Sequence, residues 1–226
     1  MVRGCVTVVV VLCSLACASL AQQSATTAQQ PAAMAVSEWI DDFDGASLDP
    51  AKWERFSFDG PSGGTVKTDN GVLHIRGLGG SRFGVRSVPE FRAEKFLVEA
   101  SLPNPPAATD TPMAFAVLAV MFDSAGRNRI EWIFRSDSHF EAWIVRDGRS
   151  EQLDNRRLAT TVKNPTLAIA RRAGELLFLL NGEVGVQKSI KDLPREFHVM
   201  LYGFGTSQND WDSVRVVTPV APAAGK

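Results

Sequence analysis

A chain of 226 residues, 45% hydrophobic and 22% charged with a formal net charge of −1, has apolar material for one soluble globular domain, or two small ones. The near-neutral balance argues against a nucleic-acid binder, which presents a basic face. All three cysteines, Cys5, Cys13 and Cys17, lie near the N-terminus, which leaves the rest of the chain without a disulfide, a cysteine metal site or a thiol nucleophile.

The chain opens with a short positive segment, "MVR", followed by "CVTVVVVLCSLACASLA", an apolar run too short for a comfortable membrane span. Ser19-Leu20-Ala21 then fits a small-x-small cleavage pattern before Gln22, so residues 1–21 read as a secretory signal peptide and the product as secreted or periplasmic. Two alternatives stay open: an uncleaved anchor, and a lipoprotein acylated at Cys17 after Ser14-Leu15-Ala16. Loss of Arg3 with the leader leaves 23 basic against 25 acidic residues, a net of −2. Residues 22–36, "QQSATTAQQPAAMAV", have the composition of a flexible linker, and residues 219–226 that of a disordered tail. The domain is therefore expected over residues 37–218, roughly 180 residues, a comfortable size for one β-sandwich.

Within that domain no long window repeats apolar residues at helical spacing. Alternation and turn dipeptides dominate, and Asn70-Gly71, Asp147-Gly148 and Asn181-Gly182 are hairpin signals. Strands are expected near 38–43, 53–58, 64–68, 71–76, 83–88, 95–101, 113–122, 129–135, 140–146, 166–171, 175–180, 184–190, 197–204 and 211–217. Many short strands with regular turns specify an all-β sandwich or barrel. "KFLVEASL" puts Phe96, Val98 and Ala100 on one face. "MAFAVLAVMF" (113–122) is apolar at nearly every position, the pattern of a strand covered on both faces.

The hairpin of "RIEWIFR" and "FEAWIVR" around "SDSH" carries the densest mixture of aromatic and charged residues. Pairing Arg135 with Glu141 puts Ile130, Trp132, Phe134, Phe140, Ala142 and Ile144 on one apolar face. Arg129, Glu131, Arg135, Glu141, Trp143 and Asp147 fall on the other, with Arg129 opposite Asp147. A one-residue shift would oppose two arginines and turn Glu141 to the apolar side, which disfavours it.

"DDFDGASLDPAKW", "TDNGVLHIRG", "GELLFLLNGEVGVQKS" and "QNDWDSVRVV", in that order over about residues 38–217, resemble the concanavalin A-like lectin/glucanase domains, particularly the laminarinase-like hydrolases and laminin-G-like modules. The resemblance implies a jelly-roll sandwich of two curved antiparallel sheets, with the first and last strands side by side. Trp39 and Phe43 would then pack inward, Asp41, Asp42, Asp44 and Asp49 would stay in a solvated loop, and Trp53 would anchor the next strand. Several relatives hold a structural calcium with carbonyls of the opening loop and an Asp of the terminal strand, and the matching position is Asp212. Calcium takes about six to eight oxygen ligands, so Asp212 alone does not make a site and a plain bond to neighbouring amides stays open. No cofactor is otherwise required.

The hydrolases of this fold carry Glu-x-Asp-x-x-Glu on one strand. In "RIEWIFR" Glu131 is followed by Trp132, Ile133 and Phe134, with neither the Asp nor the second Glu, so the carried-over mechanism is lost. In the register above Glu131 and Glu141 stand four residues apart along the strand, roughly 13 Å, too far for a glycosidase pair, whereas Asp147 comes within roughly 8 Å of Glu131. Asp147 belongs to an Asp-Gly turn, which already explains it. His74, His139 and His198 are scattered without metal-ligand spacing, no Gly-x-Ser-x-Gly elbow occurs, and "GLGGSRFG" (77–84) lacks the Lys-Ser/Thr of a phosphate loop.

With the resemblance, the leading expectation is a non-catalytic, lectin-like domain that binds an extracellular polysaccharide or glycan as a monomer. Trp143 would stack on a sugar ring, with Arg129, Glu131, Arg135 and Glu141 gripping hydroxyls. The alternatives are a divergent glycoside hydrolase or lyase, a protein-interaction module, and a charged cross-strand ladder that merely solubilises the sheet.

Overall fold

The computed structural model describes residues 35–60, 63–108, 113–160, 162–172 and 174–220; the leader, Cys17 and Gln22, most of the linker and most of the tail lie outside them. Every regular element among the described residues is a β-strand, and every paired neighbour is antiparallel. One sheet has the order β1 (Val36–Asp41), β18 (Ser213–Pro219), β7 (Phe96–Ser101), β13 (Thr166–Arg172), β14 (Glu175–Leu180), β15 (Glu183–Ser189). The second runs β12 (Arg149–Arg157), β11 (His139–Arg146), β10 (Arg129–Arg135), β9 (Phe115–Met121), β16 (Glu196–Phe204), β5 (Arg82–Ser87), β2 (Trp53–Ser57), and β6 (Phe91–Arg92) also pairs with β16. A smaller sheet joins β3 (Thr65–Asp69), β4 (Val72–Arg76), β17 (Ser207–Trp211) and β8 (Ala107–Ala108). The architecture is the expected jelly-roll sandwich, with β1 and β18 side by side from Val36↔Pro219 to Asp41↔Val214.

The hairpin signals sit where the chain turns. Asn70-Gly71, Asp147-Gly148 and Asn181-Gly182 all adopt positive φ at both residues, between 49° and 81°, the two-residue turn whose twist matches the strands it joins. The core lies between the two large sheets. Phe96 and Val98 of β7, Phe178 of β14 and Val216 of β18 meet Leu118 and Val120 of β9, Trp132 and Phe134 of β10 and Phe140 of β11.

β9 is covered on both faces, as its unbroken apolar run predicts. Ala116, Leu118 and Val120 enter the sandwich, while Val117, Ala119 and Met121 belong to a second apolar cluster on the opposite face, with Ile133, Met200 and Tyr202. Phe56, Phe58, Phe115, Trp143 and Phe204 pack over that second cluster. The eight-stranded sheet therefore has two buried surfaces, of which only one faces its partner sheet.

Two expectations about the opening segment divide. Phe43 is buried, Trp39 packs on Trp53 and Phe91, and Trp53 is anchored as expected. Asp42, Asp44 and Asp49 are exposed, but Asp41 is not a solvated loop residue: only 8% accessible, it accepts from Trp53 Nε1 at 2.5 Å and from Lys52 Nζ at 2.9 Å. A buried indole NH needs an acceptor, and Asp41 supplies it.

Two strands escape the apolar pattern. β12, "RSEQLDNRR", has Leu153 as its one apolar residue because it is the exposed edge of its sheet, where charge blocks further pairing. β17 does alternate, but through buried polar residues, Ser207 and Asn209, whose side chains bond Phe115 N, Phe115 O and Trp211 Nε1. The strand expected at 211–217 is β18, and β17, just before it, was not expected.

Candidate functional site

The face set of the β10–β11 hairpin is as expected, but its register differs by two residues. Phe134 pairs with Phe140, Ile133 with Glu141, Glu131 with Trp143 and Arg129 with Val145; Arg135 does not face Glu141, nor Arg129 Asp147. The connection is a three-residue loop, Ser136 to Ser138, closed by Ser138 N on Arg135 O at 3.0 Å, with Ser138 at φ 65°. This is the tight loop that ends in a left-handed residue, a place where glycine is usual and serine gives no signal. A slip of two preserves every side chain's face, so Trp132 stays in the core and Trp143 on the outer face.

The slip does change which carboxylates are neighbours. Glu141 now stands one diagonal step from Glu131, about 7–8 Å between such backbone positions. Asp147 moves four residues from Glu131's partner Trp143, roughly 13 Å along the strand.

A cleft of about 360 Å³ opens over this face, lined by Arg82, Phe115, Arg129, Glu131, Ile133, Glu141, Trp143, Ser150 and Phe204. Four of the five expected binding residues line it; the fifth, Arg135, stands behind Glu141. Its side chain donates from Nη1 to Glu141 Oε1 at 2.6 Å and from Nη2 and Nε to Asp137 at 2.7 and 3.0 Å. Trp143 Nε1 donates to the other Glu141 oxygen at 2.9 Å, so both are occupied. Beside Trp143 the ladder with β12 is irregular: Ala142 pairs with Asp154 but Trp143 with Gln152, leaving Leu153 as an extra residue. Such bulges re-aim side chains.

Arg129 and Glu131 are buried together at 5% and 4% accessibility, Nε to Oε1 at 2.5 Å. Arg129 also donates to Gly126 O, and its guanidinium lies 4.5 Å from the centre of the Phe58 ring, with Arg82 at 4.8 Å from the same ring. Tyr202 donates its hydroxyl to Glu131. Burial, then the Glu131 charge, push the Tyr202 hydroxyl well above its ordinary range, so it stays a protonated donor and not a phenolate nucleophile. Of the residues expected to grip ligand hydroxyls, Arg129 pairs with Glu131 and Arg135 with Glu141, and Arg82 is likewise paired with Asp59 at 2.9 Å.

The hydrolase spacing counted from Glu131 falls on Ile133, in the cleft, and on Ser136, whose Oγ accepts from Ala114 N at 3.0 Å. Neither supplies a carboxylate.

Asp212 follows β17 directly. Its NH donates to Ser101 O at 3.0 Å, and its carboxylate accepts from Ser213 Oγ at 3.4 Å. Among the described residues no three His, Cys, Asp or Glu side chains converge to hold a metal ion. A calcium at Asp212 would rest mainly on carbonyl oxygens.

Phe115, Phe204, Arg82, Ile133 and Ser150 were not among the expected site residues. The signal for the apolar ones is in β9, because a strand apolar on both faces requires a second apolar surface, and that surface is the cleft floor.

No protein-family model matches the sequence, and no curated protein matches it. Solved structures do. An endo-β-1,3-glucanase from Pyrococcus furiosus superposes with a TM-score of 0.62 at 13% identity, over 81% of this chain and 94% of that one. An endo-1,3-β-glucanase from Streptomyces sioyaensis gives 0.61 at 15%, over 81% and 97%. The carbohydrate recognition domain of Emp46p gives 0.55 at 12%, over 75% and 90%. With its sheet order, its paired chain ends and these likenesses together, the chain has the concanavalin A-like lectin/glucanase jelly-roll fold.

Proposed function

We propose that this domain binds a polysaccharide or glycan in the cleft without cleaving it, as a monomer working outside the cytoplasm. The observation that carries the reading is the half-buried ring of Trp143 beside Phe115 and Phe204, over an apolar floor whose charged neighbours are already paired. Sugar C–H faces pack on such rings, and paired charges do not have to be stripped of solvent to admit an uncharged ligand. The glucanases and the carbohydrate recognition domain of the same fold support the ligand class. The sequence reading of a secretory leader supports the location. No helix of the described residues is long and apolar enough to cross a membrane.

The pairing of the carboxylates supports the reading of binding without cleavage. Glu131 accepts from Arg129 and Tyr202 through Oε1, and Glu141 accepts from Arg135 and Trp143, which supports a structural role for both. One observation favours a hydrolase instead: Glu131 and Glu141 are diagonal neighbours lining the same cleft, and glycosidases work with two carboxylates that flank the scissile bond.

The test is calorimetric titration of the domain with a panel of soluble neutral and acidic polysaccharides, in calcium and in chelator, with a reducing-end assay on the same mixtures. The expected result is saturable binding to at least one polysaccharide, equal in both buffers, lost in Trp143→Ala, with no new reducing ends. Reducing ends that vanish in Glu131→Gln establish the hydrolase. Binding that Trp143→Ala leaves intact removes the cleft as the site, and no binding to any polysaccharide overturns the reading.

A further inference from the structure

The cleft's aromatic wall is held from outside the cleft. We infer that Arg135 and Asp137 are positioning residues that fix the plane of the Trp143 indole through Glu141; the functional weight of this inference rests on the glycan-binding reading, its structural half does not. The three-residue loop turns Asp137 back over Arg135, so that Asp137 takes Nη2 at 2.7 Å and Nε at 3.0 Å. The other edge of the same planar guanidinium gives Nη1 to Glu141 at 2.6 Å, and Glu141 passes the constraint on to Trp143 Nε1 at 2.9 Å. Only a guanidinium can present two carboxylates with donors in fixed directions; a lysine would meet them as a point charge.

The position needs such a brace. The bulge at Ala142/Trp143 interrupts the ladder under the ring, and the ring covers the outer cluster without being enclosed by it. Arg135 also lies 5.9 Å from the Phe115 ring, so one side chain touches one wall of the cleft and steers the other. With its NH committed to Glu141, Trp143 offers a ligand ring face and not a donor. His139 Nδ1 lies 3.0 Å from Asp137 Oδ2 at the outer end of this series of contacts.

The experiment uses the domain labelled with 5-fluorotryptophan, whose five fluorine resonances are assigned by single Trp→Phe replacements. Arg135→Met is expected to shift or broaden the Trp143 resonance while those of Trp39, Trp53, Trp132 and Trp211 stay in place. It should also weaken the polysaccharide bound by the parent about fivefold, the cost of ordering one freed side chain. Arg135→Lys should restore little of either. Should Arg135→Met disturb all five resonances, Asp137→Asn, in the half-buried loop, asks the same question with a smaller lesion. A Trp143 resonance unmoved in a folded variant overturns the inference. A moved resonance in a domain that binds no polysaccharide leaves the brace standing and sinks the glycan reading alone.

Discussion

Trp53 Nε1 donates to Asp41 Oδ2 at 2.5 Å across twelve residues of chain, while Lys52 Nζ takes the other Asp41 oxygen at 2.9 Å. Lys52, just before β2, and Trp53, its first residue, thus hold one carboxylate at the end of β1. The crowding of acids and tryptophans in "EWIDDFDGASLDPAKW" has this as its physical reason.

Asp41→Ala should therefore destabilise far more than an acidic loop residue would. It leaves a buried indole NH without an acceptor, which costs about 1–3 kcal/mol. Asp44→Ala, exposed and without an ion pair, should stay within about 0.5 kcal/mol of the parent. Urea denaturation followed by tryptophan fluorescence checks both: the Asp41→Ala midpoint falls at unchanged slope. Equal midpoints would show the clasp to be idle.

The two tryptophans of the central hairpin should separate sharply. Trp132, 2% accessible, lies 5.5 Å from Phe140 and 5.4 Å from Phe178 and donates to Leu179 O at 2.8 Å, bridging the two sheets. Trp132→Ala is expected to cost about 3–5 kcal/mol. Trp143→Ala removes a half-buried ring and one hydrogen bond and should cost about 1–2 kcal/mol, while polysaccharide affinity falls. Thermal melts of the two variants beside the parent decide it, and a reversed order would place the cleft face inside the sandwich.

The difference between faces and register marks what the sequence discloses. Alternation assigns Trp132 inward and Trp143 outward because burial is written in the side chains themselves. The register depends on one backbone conformation, the positive φ of Ser138, which "SDSH" does not advertise as Asn-Gly or Asp-Gly would. The same holds for β17, where Ser207 and Asn209 are buried for their hydrogen bonds and so look like loop residues. Aromatic cleft residues such as Phe204 come from strands distant in sequence, and no local pattern joins them to Trp143.

Acid should test the outer end of the brace. Burial pushes the Asp137 carboxyl up, but the hydrogen bonds and charges of Arg135 and His139 outweigh it and hold the carboxyl below its ordinary range. A carboxyl depressed in the folded state stabilises above its unfolded value, about 3.9, and that contribution is lost as pH falls through the lower folded value. Parent and Asp137→Asn should then differ in melting temperature at pH 5 and converge below about pH 4. A gap that persists into acid would mean that Asp137 acts through its shape and not its charge.

The buried pair at the cleft floor gives the largest expected effect outside the core. Arg129 and Glu131 are both almost inaccessible, and each has further commitments, Arg129 to Gly126 O and Phe58, Glu131 to Tyr202. Removing one partner strands a charge in an apolar cluster, at about 3–5 kcal/mol, whereas replacing both by well-packed apolar residues is often neutral or stabilising. Glu131→Met alone should therefore be more destabilised than Arg129→Met/Glu131→Met together, and Tyr202→Phe, which loses one hydrogen bond to a charge, should cost about 1.5–3 kcal/mol. A double-mutant cycle by urea denaturation measures the coupling. Additive losses would mean that the two charges are solvated separately, and that the cleft floor is open to water rather than sealed by Phe58 and Tyr202.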